Sequence, residues 1–108
     1  MARYLLIESR DPFDSNDAAH FYRLAADLAR SRNEVTFFLV QNGVVPVRKG
    51  PASAGLAKLA KAGVQVLADD FSLRERGIGV DRLAPGVQPA SIGVVIDQLA
   101  DGRKAIFH

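Results

Sequence analysis

The stretch Val64-Gln65-Val66-Leu67-Ala68-Asp69-Asp70-Phe71-Ser72-Leu73-Arg74-Glu75-Arg76-Gly77 decides the fold class. Residues 64–68 form a short apolar run of strand type, and residues 71–76 a short helix that Gly77 closes. Nothing of loop length separates them: the strand ends in two carboxylates and passes at once into the helix. That is the repeating step of a parallel α/β sheet. In such sheets ligands and chemistry gather at the carboxyl ends of the strands, and Asp69 and Asp70 stand at that end.

Working outward, the same alternation recurs on both sides. Tyr4-Leu5-Leu6-Ile7 is a continuous apolar run, as suits a strand covered on both faces, and it ends in Glu8-Ser9-Arg10-Asp11-Pro12. Asp14 to Asp17 offer cap-type side chains and first-turn negative charge to a helix predicted over residues 15–31. Its Ala18, Phe21, Tyr22, Ala25, Leu28 and Ala29 recur at helical spacing, and Asn33 is its expected left-handed stop. Residues 35–40, rich in β-branched and aromatic side chains, are the second strand. The turn signal Gln41-Asn42-Gly43 follows it. Residues 44–51 are expected to be irregular. A second helix, residues 52–62, buries Leu56, Leu59 and Ala60 and stops at Gly63.

Beyond Gly77, residues 78–90 contain Gly79, Pro85, Gly86 and Pro89 and are expected to be mostly loop, with one short extended piece. Ser91 is the expected cap of a last helix carrying Ile92, Val95, Ile96 and Leu99, ended by Gly102. Residues 103–107 form the final strand before His108. The order implies a single α/β domain over residues 1–108. It is a three-layer sandwich of flavodoxin- or Rossmann-like type, with a mainly parallel sheet and right-handed crossovers. Leu5, Ile7, Phe37, Leu39, Val66 and Ile106 are predicted to be buried. No repeat, linker or low-complexity tract interrupts the chain.

This layout resembles the DsrE/DsrF-like (DsrE/TusD) family of sulfur-relay proteins, in which a cysteine at the tip of the third strand carries sulfur as a persulfide. The family version often reads cysteine, glycine, any residue, cysteine, two or more variable residues, then Arg-Gly. Counting back from Arg76-Gly77 puts Asp69 at the first cysteine position and Ser72 at the second. The resemblance extends through Tyr4 to Ser9, Val35 to Val44, Gly86 to Ser91 and Lys104 to Phe107. It implies a homomeric or mixed trimer or hexamer and dealings with a cysteine-bearing relay partner. The chain departs from the sulfur-carrying pattern at the decisive position. Asp69 offers neither a sulfur to be attacked nor a thiolate to attack with.

Composition sets further bounds. A chain of 108 residues, 48% hydrophobic and 24% charged, can bury roughly 65% of its unfolded surface in one core. The pI of 9.3 accompanies a net charge of only +2, and the basic residues are dispersed. The densest pairs, Arg74/Arg76 and Arg48-Lys49, lack the interleaved aromatics of a single-strand platform, so no nucleic-acid partner is expected. No segment approaches the ~18 apolar residues of a membrane helix, and Met1-Ala2-Arg3-Tyr4 enters a strand without a signal-peptide pattern. The expected location is the cytoplasm. With no cysteine, disulfides, thiolate metal sites and thiol catalysis are excluded.

Several polar groups are then candidates for function. Asp69 and Asp70 either share a proton or a cation, or one caps the short helix while the other faces water. The second reading is favoured because adjacent residues in extended geometry point to opposite sides. In a parallel sheet Ser9, Arg10 and Asp11 would share a rim with Gln41, Asn42, Asp69, Asp70 and His108, and Ser72 is a further candidate there. Arg10 beside a helix start near Ser15 suits a small anion, or Arg10 and Asp11 make only local ion pairs and turn bonds. Residues 8–12 lack the glycines of a phosphate loop. His20 is expected at the surface or in an interface, and His108 to be mobile. Neither metal-ligand spacing nor a nucleophile elbow accompanies them. The apolar Val44-Val45-Pro46-Val47 is expected to form part of an interface, the alternative being a loop folded onto its own core.

The sequence therefore points to a cysteine-less DsrE-like protein, a non-catalytic assembly or binding component near sulfur trafficking, with no cofactor. The competing reading is a small-anion or metabolite-binding protein, or an enzyme, that uses the rim of Ser9, Arg10, Gln41, Asn42, Asp69 and Ser72.

Overall fold

A computed structural model describes residues 1–108. The chain runs through β1 (Arg3–Glu8), α1 (Asp17–Arg30), β2 (Glu34–Leu39) and two 3-10 segments, Gln41–Val47 and Pro51–Ser53. It continues through α2 (Ala54–Lys61), β3 (Gln65–Asp69), α3 (Asp70–Glu75), a 3-10 turn (Val80–Arg82), β4 (Val87–Ala90), α4 (Gly93–Ala100) and β5 (Lys104–Phe107). The five strands form one sheet in the order β4-β3-β2-β1-β5, and every neighbouring pair is parallel.

Strand order and handedness together place the helices. From β1 to β4 the chain steps in one direction across the sheet, and from β4 it returns past all of them to β5. Right-handed crossovers therefore put α1 and α2 on one face and α4 on the other. The first face is built by an 18-residue core that includes Leu6, Phe21, Phe37, Leu39, Leu56, Leu59 and Val66. Phe37 is held there between Phe21, at 5.6 Å between ring centroids, and Tyr22, edge-on at 5.2 Å. The second face has four buried residues, Leu5, Phe38, Leu67 and Val95. One short helix covers the face that two helices cover on the other side.

That asymmetry accounts for where the burial expectations hold and where they fail. Leu5, Phe37, Leu39 and Val66 are buried, but Ile7 is only half-buried and Ile106 is 36% exposed. All four residues of β5 are exposed because it is an edge strand with no helix beyond it.

The loop Val44-Val45-Pro46-Val47 corrects the expectation of an interface. It lies within a 3-10 segment folded onto the first core, with Val44 and Val47 fully buried and only Val45 facing out. The expected loop 78–90 contains β4, which accommodates Pro89 because it is the other edge of the sheet. Ser91 does not cap α4, whose N-cap position is Ile92 without a side-chain bond. The left-handed residue after α1 is Arg32, at φ 66°. Asn33 instead ties the helix end down with its side chain, donating to the Leu28 carbonyl at 2.9 Å and accepting from the Ala2 amide at 3.0 Å.

Candidate functional site

The carboxyl ends of the strands do share one rim, but the sheet divides its polar groups into two sets. The pleat sends Ile7, Val40 and Asp69 to the α4 face, and Leu6, Glu8 and Leu39 to the α1 face.

On the α4 face, Asp69 is the N-cap of α3, and its carboxylate accepts from the Ser72 amide at 3.0 Å and the Ser72 hydroxyl at 2.7 Å. The Ser72 hydroxyl oxygen in turn accepts the Gln41 amide at 2.9 Å. Asp69 and Ser72 are 7% and 4% exposed. This chain of bonds ties β3 and α3 to the segment after β2, where Gln41 holds a left-handed φ of 52°. Such a conformation is costly outside glycine and needs support of this kind. Arg76 adds a second tie, donating from Nε and Nη2 to the Asn42 side-chain oxygen at 3.3 and 3.1 Å. Asp70 lies outside the arrangement, 4.0 Å from exposed Arg74 one turn on. One aspartate caps and the other faces outward, so the two share no site.

Asp69 and Ser72 stand at the wall of a cavity of about 390 Å³ between the sheet and α3. Its lining is Ile7, Val40, Gln41, Asp69, Phe71, Ser72, Glu75, Ile92 and Phe107, mostly apolar, with two carboxylates and no cation. Phe71 and Phe107 are 57% and 68% exposed at its mouth.

The second set lies on the α1 side. Ser9 donates its hydroxyl to the His108 carbonyl at 2.9 Å. The Arg10 side chain is exposed and forms no ion pair, while its amide donates to Glu8 at 3.0 Å. Asp11 closes a turn by accepting from the Phe13 amide. His108 is anchored rather than mobile. Its amide bonds the Ile7 carbonyl at 2.8 Å, its ring lies 5.2 Å from that of Phe21, and its Nδ1 sits 2.8 and 3.0 Å from the two Glu8 oxygens. His20 and His108 line one shallow hollow with Asp17, Phe21 and Leu24.

Glu8 is the residue that sequence reasoning missed. It reads as the start of a polar loop, yet its side chain is fully buried. Alternation held the signal: Tyr4, Leu6 and Glu8 share one face of β1, and that face is inward. Burial raises the Glu8 carboxyl above its ordinary value of 4.5, against the opposing pull of the Arg10 amide and the His108 ring. The nearby Tyr22 hydroxyl is buried without a hydrogen-bond partner, and its ionisation is pushed up by burial and by the Glu8 and Asp11 carboxylates.

The DsrE/DsrF-like family profile matches residues 2–107 of the chain. Among curated proteins none matches it in sequence. Among solved structures it is similar to ychN from E. coli, at 21% identity over the full length of both chains with a TM-score of 0.85. It is also similar to MTH1491 from Methanobacterium thermoautotrophicum, a protein of unknown function, at 20% identity over both full lengths with a TM-score of 0.79. BT1422 from Bacteroides thetaiotaomicron, likewise of unknown function, shares 13% identity over 98% of this chain and 94% of its own, with a TM-score of 0.78.

Proposed function

Because the chain belongs to the DsrE/DsrF-like family and contains no cysteine, we propose that it is a non-catalytic assembly or binding component of intracellular sulfur trafficking, acting in the cytoplasm. It works as a homo-oligomer, trimer or hexamer, and holds a cysteine-bearing relay protein at the Asp69 rim. The observation that carries this reading is the closed bond chain Gln41 amide, Ser72 hydroxyl, Asp69 carboxylate. The two positions that resemblance assigns to sulfur chemistry are here engaged with each other and nearly buried. They serve to fix α3. The Ser72 hydroxyl and the Asp69 carboxylate are committed to this cap and to the Gln41 amide, both nearly buried, which supports a structural role for the pair.

The competing reading, a small anion at the same rim, lacks support from the cavity itself. Its charged lining groups are Asp69 and Glu75, and Arg10 lies outside it. An apolar cavity edged by carboxylates suits an apolar side chain of a partner better than an anion.

The test is mass spectrometry of the intact chain after incubation with a persulfide donor and a cysteine-bearing DsrE-like protein. The mass of this chain is expected to stay unchanged, and native spectra to contain a complex of the two. Covalent gain of sulfur by the wild-type chain overturns the proposal, as does the absence of any complex.

A further inference from the structure

At the far end of α3 from Asp69, a cleft of about 600 Å³ opens between the strap after the first 3-10 segment and the loop after α3. Its walls are Arg48, Lys49, Gly77, Ile78, Gly79, Asp81 and Arg82. Three cations face one carboxylate, leaving this one cleft at +2, the formal net charge of the whole chain. Like charges gathered in a concave space repel one another and raise the local potential, an arrangement with no benefit to folding.

The cations are not engaged in holding the fold. Neither the Arg48 nor the Lys49 side chain has a hydrogen bond or ion pair, and Arg82 has only a loose 4.0 Å approach to Asp81, both side chains being largely exposed. The backbone that carries them is nevertheless fixed. The Lys49 amide bonds the Arg82 carbonyl at 2.9 Å, the Ala84 amide bonds the Val47 carbonyl at 2.8 Å, and Arg48 pairs with Leu83 in an antiparallel bridge. A fixed backbone thus brings cations from two separate segments to one gap, where Arg48 and Lys49 have no ion pair to break on binding.

We propose that this cleft binds a small polyanion of the diphosphate or phosphorylated-metabolite class. Two guanidinium groups match phosphate oxygens in paired hydrogen bonds, and the lysine adds a point charge. Ile78 is the only apolar lining residue and no aromatic ring is present, so the cleft offers no surface on which a nucleobase would stack. Gly77 leaves its part of the wall open to a compact ligand, while the Asp81 carboxylate lies against Gly79. The site is independent of the sulfur reading and lies apart from the Asp69 cavity.

Isothermal titration calorimetry of the full chain with diphosphate at low ionic strength tests the proposal, with amide shifts in NMR locating the site. Saturable one-to-one binding is expected, weaker with inorganic phosphate and falling as salt rises. The shifts should concentrate at residues 77–82 and at Arg48 and Lys49. Arg48→Ala with Arg82→Ala is expected to weaken binding at least about tenfold, the loss of charge-assisted bonds. Lys58→Ala, on α2, should leave it unchanged. Circular dichroism confirms that the double variant folds. Absence of saturable binding, an equal loss in Lys58→Ala, or shifts spread over all basic residues would overturn the proposal. So would a single-stranded oligonucleotide that binds tighter than diphosphate and loses affinity in the double variant.

Discussion

Asp69 and Ser72 are bonded to each other at the junction of β3 and α3. Where resemblance expects thiols, a carboxylate and a hydroxyl complete a buried hydrogen-bond chain. Ser72→Ala removes the middle of that chain, leaving the Gln41 amide without an acceptor and Asp69 short of a donor. It should cost about 1–3 kcal/mol in urea unfolding. Asp69→Cys asks whether the scaffold still positions this site for sulfur. The variant is expected to load from a persulfide donor faster than a control cysteine on the exposed surface, and equal rates would remove the support for the correspondence. Glu8 makes a prediction about pH. Its raised folded value means that the folded state binds the proton more tightly than the unfolded chain does. Its contribution to stability is then fully present below about 4.5 and is lost as pH rises through the folded value. Relative to Glu8→Gln, the wild type should gain stability as pH is lowered from neutral toward 4.5. A flat difference across that window would contradict the assignment.

At the scale of elements, the 3-10 segment Gln41–Val47 decides how the rim is built. Gly43 lies so close to the Glu8 carbonyl that a Cβ there would overlap it, and Val44 and Val47 plug into the first core. Val47→Ala is therefore expected to destabilise the fold by about 2 kcal/mol while leaving oligomeric state unchanged. Dissociation without loss of stability would restore the interface role that the sequence suggested. The main helices were legible because apolar residues repeat near period 3.6, as in α1, and the strands because continuous apolar runs recur between them. The misplaced features lack such a repeat. Val44 to Val47 is apolar whether it covers a core or a partner, and only the turn geometry set by Gln41 and Gly43 distinguishes the two. Ser91 and Asn33 were assigned by residue type, but the backbone at each place put the helix start and the left-handed residue one position away. In the candidate site, the capping role of Asp69 was readable from its junction. The Glu8–His108 pair was not, since 100 positions separate its members and only the β1–β5 pairing joins them.

For the whole molecule, the informative feature is the imbalance between the two faces of the sheet. Eighteen buried residues build one core and four build the other. On the thinner side Ile92, Ile96 and Leu99 of the α4 region remain 52, 62 and 48% exposed, beside Phe71 and Phe107. Full burial of each such side chain contributes about 1.5–3 kcal/mol. Several together are enough to offset the rotational and translational cost of association. Edge strand β5 leaves its outer backbone groups unpaired next to this patch, a liability that assembly removes. We therefore expect light scattering coupled to size-exclusion chromatography, at micromolar concentration, to give a trimer or hexamer of the 11.6 kDa chain. Ile96→Asp adds a charge to the centre of the patch. Because the residue is exposed within one protomer, the substitution should alter the protomer's own stability by no more than about 0.5 kcal/mol. In an assembled interface it would bury an unpaired carboxylate, which a desolvated contact does not tolerate. The variant is expected to elute as a folded monomer with unchanged circular dichroism. A wild-type chain that is itself monomeric refutes the assembly, and an Ile96→Asp variant that stays oligomeric moves the interface away from the α4 face.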